Sequence, residues 1–197
     1  MAKNKKNKKP LELIIVADRS RSMSGLTSDS VGNINSYVQG VKSEGVDAKV
    51  TLISFDSSSQ IVCDRVPINK WKDITGADIP ARGRTALHDA VGFALTRPGA
   101  KRKRPTMVMI DTDGLDNMSK EHSSNTVKSL IKEKTKLGWD FQFTGVGLDA
   151  FDQGDKYGLA ANQILNVLAD AGGLKSMRHF RSSSTRSYAA STGHIKS

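Results

Sequence analysis

A chain of 197 residues, 37% hydrophobic and 25% charged, is long enough to bury one good core and is expected to form a single domain. Its net charge of +10 sits at the ends: residues 1–9 hold five Lys, residues 175–197 hold five Lys or Arg, neither stretch has an acid, and the body between them is neutral. Cys63 is the single cysteine, which excludes an intrachain disulfide and points to reducing, cytoplasmic surroundings. No apolar run approaches a membrane span, and the short run behind the first lysines contains Glu12, unlike a secretory signal.

In chain order, residues 11–18 form an apolar strand with little alternation, as expected of a strand covered on both faces. Val31, Ile34, Tyr37, Val38 and Val41 then recur at helical spacing, with Gly45 as a stop. A second strand covers Lys49 to Phe55, and Asp56 to Ser59 form a turn. The third strand, Gln60 to Ile68, follows too closely for a helical crossover, so it must return antiparallel, and Pro67 suits a sheet edge. Residues 69–84 are irregular around Trp71, a core candidate, and a helix runs from Ala86 to Leu95 with Thr85 near its N-cap. Beyond Thr106 to Ile110, a buried strand, the spacing predicts helix over 119–137, strand from Phe141 to Gly147, helix over 151–160 and a last strand from Ile164 to Leu168. Strands alternating with helices make an α/β fold: a doubly wound, mostly parallel sheet with one antiparallel edge strand and helices on both faces.

Three loops of this plan carry oxygen donors. The first strand ends in Asp18 and breaks into a loop holding Ser20 and Ser22; Thr85 opens a helix; Asp113 follows the fourth strand. Right-handed crossovers open all three on one end of the sheet, where ligands of open α/β folds collect. Two carboxylates and three hydroxyls are hard donors suited to a small divalent cation such as Mg²⁺, with Mn²⁺ or Ca²⁺ as alternatives.

The segments Asp18-Arg19-Ser20-Arg21-Ser22-Met23-Ser24-Gly25, Gly83-Arg84-Thr85-Ala86-Leu87-His88-Asp89-Ala90 and Thr112-Asp113-Gly114-Leu115-Asp116-Asn117 resemble the three loops of the metal-ion-dependent adhesion site in von Willebrand factor type A (vWA) domains. The resemblance covers roughly residues 11–180, leaving 1–10 as a basic tail and 181–197 as a basic Ser/Arg-rich tail. Through Gly145-Val146-Gly147 and Gly172-Gly173-Leu174 the chain is also similar to small stand-alone bacterial and phage members, in which a last strand precedes a final Ser/Arg-rich helix. The resemblance implies a Rossmann-like vWA fold and a metal held by Ser20, Ser22, Thr85, Asp18 and Asp113, directly or through water. One position is left for the carboxylate of a protein partner, so the implied role is a divalent-dependent interaction module rather than an enzyme, in the cytoplasm or, for a phage-encoded member, in host cytoplasm or virion. Two residues depart from the pattern: Arg21 stands where many bacterial members have Gly, and Asp111 where the strand is usually apolar. By the period of a strand Asp111 and Asp113 share a direction, so Asp111 is either an acceptor beneath the ion or a carboxylate bonded to backbone.

A rival reading takes Asp111-Thr112-Asp113-Gly114 as similar to the first motif of haloacid-dehalogenase-type phosphatases, with Asp111 as nucleophile and Asp113 as acid/base. That motif normally opens its domain, and too little αβ sequence follows here to supply the remaining groups. A third reading lets the basic tails bind nucleic acid or another acidic surface in an assembly whose metal site is vestigial. No nucleophile elbow, phosphate loop or dinucleotide fingerprint is present, and the four His are scattered without metal-ligand spacing.

Overall fold

The computed structural model describes residues 9–100, 103–147, 149–168 and 171–195. Of the basic segments expected at the two ends, residues 1–8 and 196–197 lie outside the described residues. Six strands form one sheet in the order β3-β2-β1-β4-β5-β6. They are β1 (Leu11–Asp18), β2 (Ala48–Phe55), β3 (Ser59–Pro67), β4 (Thr106–Thr112), β5 (Trp139–Val146) and β6 (Ile164–Val167). All neighbours pair in parallel except β2 with β3, where the short turn at Asp56 forces the return expected of it. Pro67 ends that edge strand, where its missing N–H costs no ladder bond.

The helices are α1 (Thr27–Ser43), α2 (Leu87–Thr96), α3 (Ser124–Lys136), α4 (Ala150–Lys156) and α5 (Ala171–Ser191). Every residue of β1 is buried because its side chains serve two cores. Ile14 and Val16 face α2, α3 and α4, packing with Leu87, Val91, Val127, Ile131 and Tyr157. Leu11, Leu13, Ile15 and Ala17 face the other way, against Ile34, Tyr37, Val38 and Val41 of α1 and Ala189 of α5. Each such aliphatic side chain contributes about 1.5–3 kcal/mol on burial, so the continuous apolar run of β1 is what the double layer demands.

Three expectations need correction. The helix expected over 119–137 begins only at Ser124, because Asp89 of α2 takes the backbone N–H groups of Lys120 (2.7 Å), Glu121 (2.9 Å) and His122 (2.7 Å) and holds that stretch as a loop. Ser123 then caps α3 by accepting the N–H of Thr126 at 3.2 Å. Second, the helix expected over 151–160 stops at Lys156, where Tyr157 turns into the core and Gly158 takes a left-handed φ of 73°.

Third, residues 181–191 are no tail: they belong to α5, and Arg181, Thr185 and Ala189 at four-residue spacing are buried against the sheet and α1. The Tyr37 and Thr185 hydroxyls lie 2.8 Å apart, and the Tyr188 hydroxyl accepts the N–H of Thr106 at 2.9 Å while donating to the carbonyl of Gly138. Beyond the helix, Ile195 bridges to Val46 and the His194 ring bonds the carbonyl of Lys9 at 2.8 Å. Among the described side chains of the helix the buried positions are Met177, Arg181, Thr185 and Ala189, two of them polar, so its apolar periodicity is weak and its docking is hard to read from the sequence.

Burial pushes the Asp89 carboxyl up, but the N–H groups of Lys120, His122 and Glu121 together hold it below its ordinary value. A lowered folded-state value stabilises the protein above the unfolded carboxylate range, and that contribution disappears as pH falls through the folded value. Asp89→Ala is therefore expected to lower unfolding free energy by about 2 kcal/mol at pH 7 and by clearly less below about pH 3, read from urea unfolding at both pH values.

Candidate metal centre

The end of β1 sets the site. The parallel register puts Ala17 opposite Asp111, so one step further Asp18 and Thr112 lie side by side. The Thr112 hydroxyl donates to Asp18 Oδ2 at 2.6 Å, and the backbone N–H of Ser20 donates to Oδ1 at 2.7 Å, fixing the carboxylate and turning the chain. The turn carries Ser20 Oγ to 3.0 Å from Ser22 Oγ, and Ser22 Oγ donates to Asp113 Oδ1 at 2.8 Å. Asp18, Ser20, Ser22 and Asp113 thus form one continuous chain of contacts.

Thr85 completes the loops, though it caps nothing: α2 starts two residues later, behind Ala86. Its backbone N–H donates to Asn117 Oδ1 at 3.1 Å and its carbonyl accepts the N–H of Asn117 at 2.9 Å, clamping the third loop onto the second. Its hydroxyl lies 3.4 Å from where a Cβ on Gly114 would stand, beside the residue after Asp113. The open N–H groups of α2 are met from the same third loop, His88 N–H by Asp116 Oδ1 at 3.2 Å and Asp89 N–H by the Ser119 hydroxyl at 3.0 Å. On the other flank, the N–H of Arg82 reaches the carbonyl of Arg19 (2.8 Å) and the N–H of Arg21 that of Gly83 (3.3 Å). All five residues named from the sequence therefore lie on three loops stitched together at the C-terminal end of the sheet.

The electrostatics leave room for a cation. Burial raises the Asp18 carboxyl to about 6, against the pull of the Thr112 and Ser20 hydrogen bonds, and burial also raises Asp113. Asp18 and Asp113 repel each other across the serines. The donor set fits a small hard divalent ion: in an octahedron with arms of 2.0–2.1 Å neighbouring oxygens stand about 2.9 Å apart, which the 2.8 and 3.0 Å contacts of Ser22 already match. Among the described residues no group of three or more His, Cys, Asp or Glu could hold a metal, so a soft-ligand centre has no candidate.

Asp111 plays neither role expected of it. It points to the α1–α5 face, where it forms an ion pair with Arg181 and receives the Thr144 hydroxyl. Arg181 is buried, so the carboxylate is neither beneath the ion position nor free for nucleophilic attack as the phosphatase reading requires. Two residues that matter here escaped sequence reasoning. Thr112, lost between two aspartates, is the group that holds Asp18; only the alternation of the strand, Asp111 to one face and Thr112 to the other, could have flagged it. Arg181 looked like one more tail cation.

Solved structures share this arrangement of sheet and helices. Proximal thread matrix protein 1 from the mussel byssus, in a form whose metal-ion-dependent adhesion site motif is occupied by zinc, superimposes with a TM-score of 0.66 over 90% of this chain and 46% of its own, at 14% identity. The von Willebrand factor domain of the type V pili tip protein Mfa5 from Porphyromonas gingivalis matches over 96% of this chain and 98% of its own, with a TM-score of 0.61 and 10% identity.

The chain has the von Willebrand factor type A fold. As a vWA fold it is also similar to the pilus adhesin SpaC from Lactobacillus rhamnosus GG in its open conformation, with a TM-score of 0.70, 13% identity, and coverage of 92% of this chain and 30% of that one. The chain spans about half the length of the mussel protein and about a third of SpaC. No protein-family model matches this vWA-fold chain, and no curated protein matches it by sequence. Among its described residues no helix is long and apolar enough to cross a membrane.

Proposed function

We propose that this chain is a divalent-cation-dependent protein-interaction module, in which Asp18, Ser20, Ser22, Thr85 and Asp113 hold Mg²⁺, Mn²⁺ or Ca²⁺ and a partner protein supplies an acidic side chain to the ion. The observation that carries the reading is the run of contacts from Ser20 Oγ through Ser22 Oγ to Asp113 Oδ1, at spacings that suit one coordination shell. A bound cation supplies residual positive charge at the rim, since only two of the five protein groups are carboxylates. The chain's own residues do the rest: Thr112 and the Ser20 N–H orient Asp18, Asn117 fixes Thr85, and the exposed Ser22 puts the site at the surface.

Support also comes from what the fold neighbours are: a byssal thread matrix protein with a zinc-occupied adhesion-site motif, a pilus adhesin and a pilus tip protein. A place in a bacterial or phage assembly belongs to this proposal, and so does a non-enzymatic role. With the tagged chain as bait in its native source, capture of a protein partner is expected in Mg²⁺ and is expected to fail both in EDTA and with Asp18→Ala. Capture unchanged by chelator removes the metal from the reading.

A further inference from the structure

The rim around the three loops is not uniform. On one flank stand Arg21, Arg82 and Arg84, brought together by the backbone bonds from Arg21 to Gly83 and from Arg82 to Arg19. Arg21 and Arg84 are exposed, and among the described residues neither has a carboxylate partner. Arg82 shares the single carboxylate of Asp56 with the buried Arg19, and its own side chain is 59% exposed. On the other flank, beyond the C-terminal ends of β4, β5 and β6, come Leu115 in the third loop, Phe151 in the first turn of α4 and Leu168 directly after β6, which are 53%, 45% and 71% exposed. These are three of the four large exposed apolar side chains among the described residues, and each follows one of three strands adjacent in the sheet. Single exposed apolar residues mean nothing; several at the sheet end that carries a polar site mark a contact surface.

Resting on the metal-dependent reading above, we infer that the partner segment is acidic at several positions and apolar at one end: one carboxylate meets the ion, further carboxylates meet Arg21 and Arg84, and a large apolar side chain meets the exposed apolar side chains, Leu115 first among them. Unpaired arginines next to a cation repel each other and the ion, so they destabilise the free face and are relieved by a multiply acidic partner. These exposed apolar side chains favour a protein segment over a phosphodiester chain, whose backbone offers nothing to cover Leu115 and Phe151.

The test pans a random peptide library on the immobilised full chain in Mn²⁺ and collects what EDTA releases. Peptides with two or more acids flanking a Leu, Ile or Phe are expected from the wild type. Arg21→Ala with Arg84→Ala should retain one acid and lose the extra ones, and Leu115→Ser with Phe151→Ser should lose the apolar residue while keeping the acids. The best wild-type peptide should bind the double arginine variant about tenfold more weakly at low salt, a gap that narrows at high salt. All four positions are exposed, and unchanged thermal melts check that the variants fold. EDTA-released peptides with a single acid and no apolar bias, selection identical in the variants, or displacement by oligonucleotide as effective as by the acidic peptide would overturn this inference while metal-dependent binding stands. Selection in which EDTA releases nothing, or in which Ser20→Ala with Ser22→Ala selects the same peptides, overturns both.

Discussion

Ser20→Ala combined with Ser22→Ala is expected to lower affinity for Mg²⁺ or Mn²⁺ at least about 100-fold, since losing groups that merely orient ligands costs about 10–100-fold and these two would be ligands themselves. The fold should survive. Neither serine hydroxyl serves a core: one bonds the other, and Ser22 reaches Asp113 on the exposed side. The backbone N–H of Ser20 that orients Asp18 is untouched by the change. Calorimetric titration of wild type and variant, with circular dichroism on both, checks the result. Unchanged affinity in the variant would end the assignment of these residues to a metal.

The second large effect concerns stability. Arg181→Met is expected to destabilise the protein by about 3–5 kcal/mol, because it leaves the Asp111 carboxylate buried with no opposite charge. For a domain of this size that corresponds to a fall in Tm of about 10 °C. Arg181→Met with Asp111→Leu should recover most of the loss, since a well-packed apolar pair often equals or exceeds a buried ion pair. The contact joins α5 to β4 two residues before Asp113, in a helix also tied to α1 by the Thr185 and Tyr37 hydroxyls and to β4 by the Tyr188 hydroxyl, which accepts the N–H of Thr106. If the single variant melts like wild type, the pair carries no weight in holding α5. Divalent affinity of the double variant, measured at a temperature where it is fully folded, should stay within about threefold of wild type, because Asp111 faces away from the serines.

Most of the sheet was legible because its residues obey local rules. The apolar runs at 11–18 and 106–110 are what parallel strands buried on both faces require, and Pro67 after a four-residue turn leaves only an antiparallel edge. The boundaries were less legible where a distant group decided them. Residues 119–123 have helical character on paper and stay unwound because Asp89, thirty residues earlier in the chain, claims their N–H groups.

The candidate donors were readable for a related reason. A carboxylate at a strand end followed by alternating serines is a local pattern, and topology alone sends the loop of Thr85 and that of Asp113 to the same end of the sheet. What no pattern in the chain could tell is which neighbour each polar side chain would find. Asp111, Thr112 and Asp113 are consecutive, yet the pleat sends the first to Arg181 and the second to Asp18, and the third, beyond the end of β4, departs from the strand period and meets Ser22. Sequence therefore determined by itself the α/β layering, the antiparallel edge and the gathering of Asp18, Ser20, Ser22, Thr85 and Asp113 on three loops, because these follow from short-range spacing and chain connectivity. Only tertiary structure decided that the final Ser/Arg-rich helix docks through residues 181–191 and that an arginine is buried in it, because the partner that makes such burial tolerable lies seventy residues away.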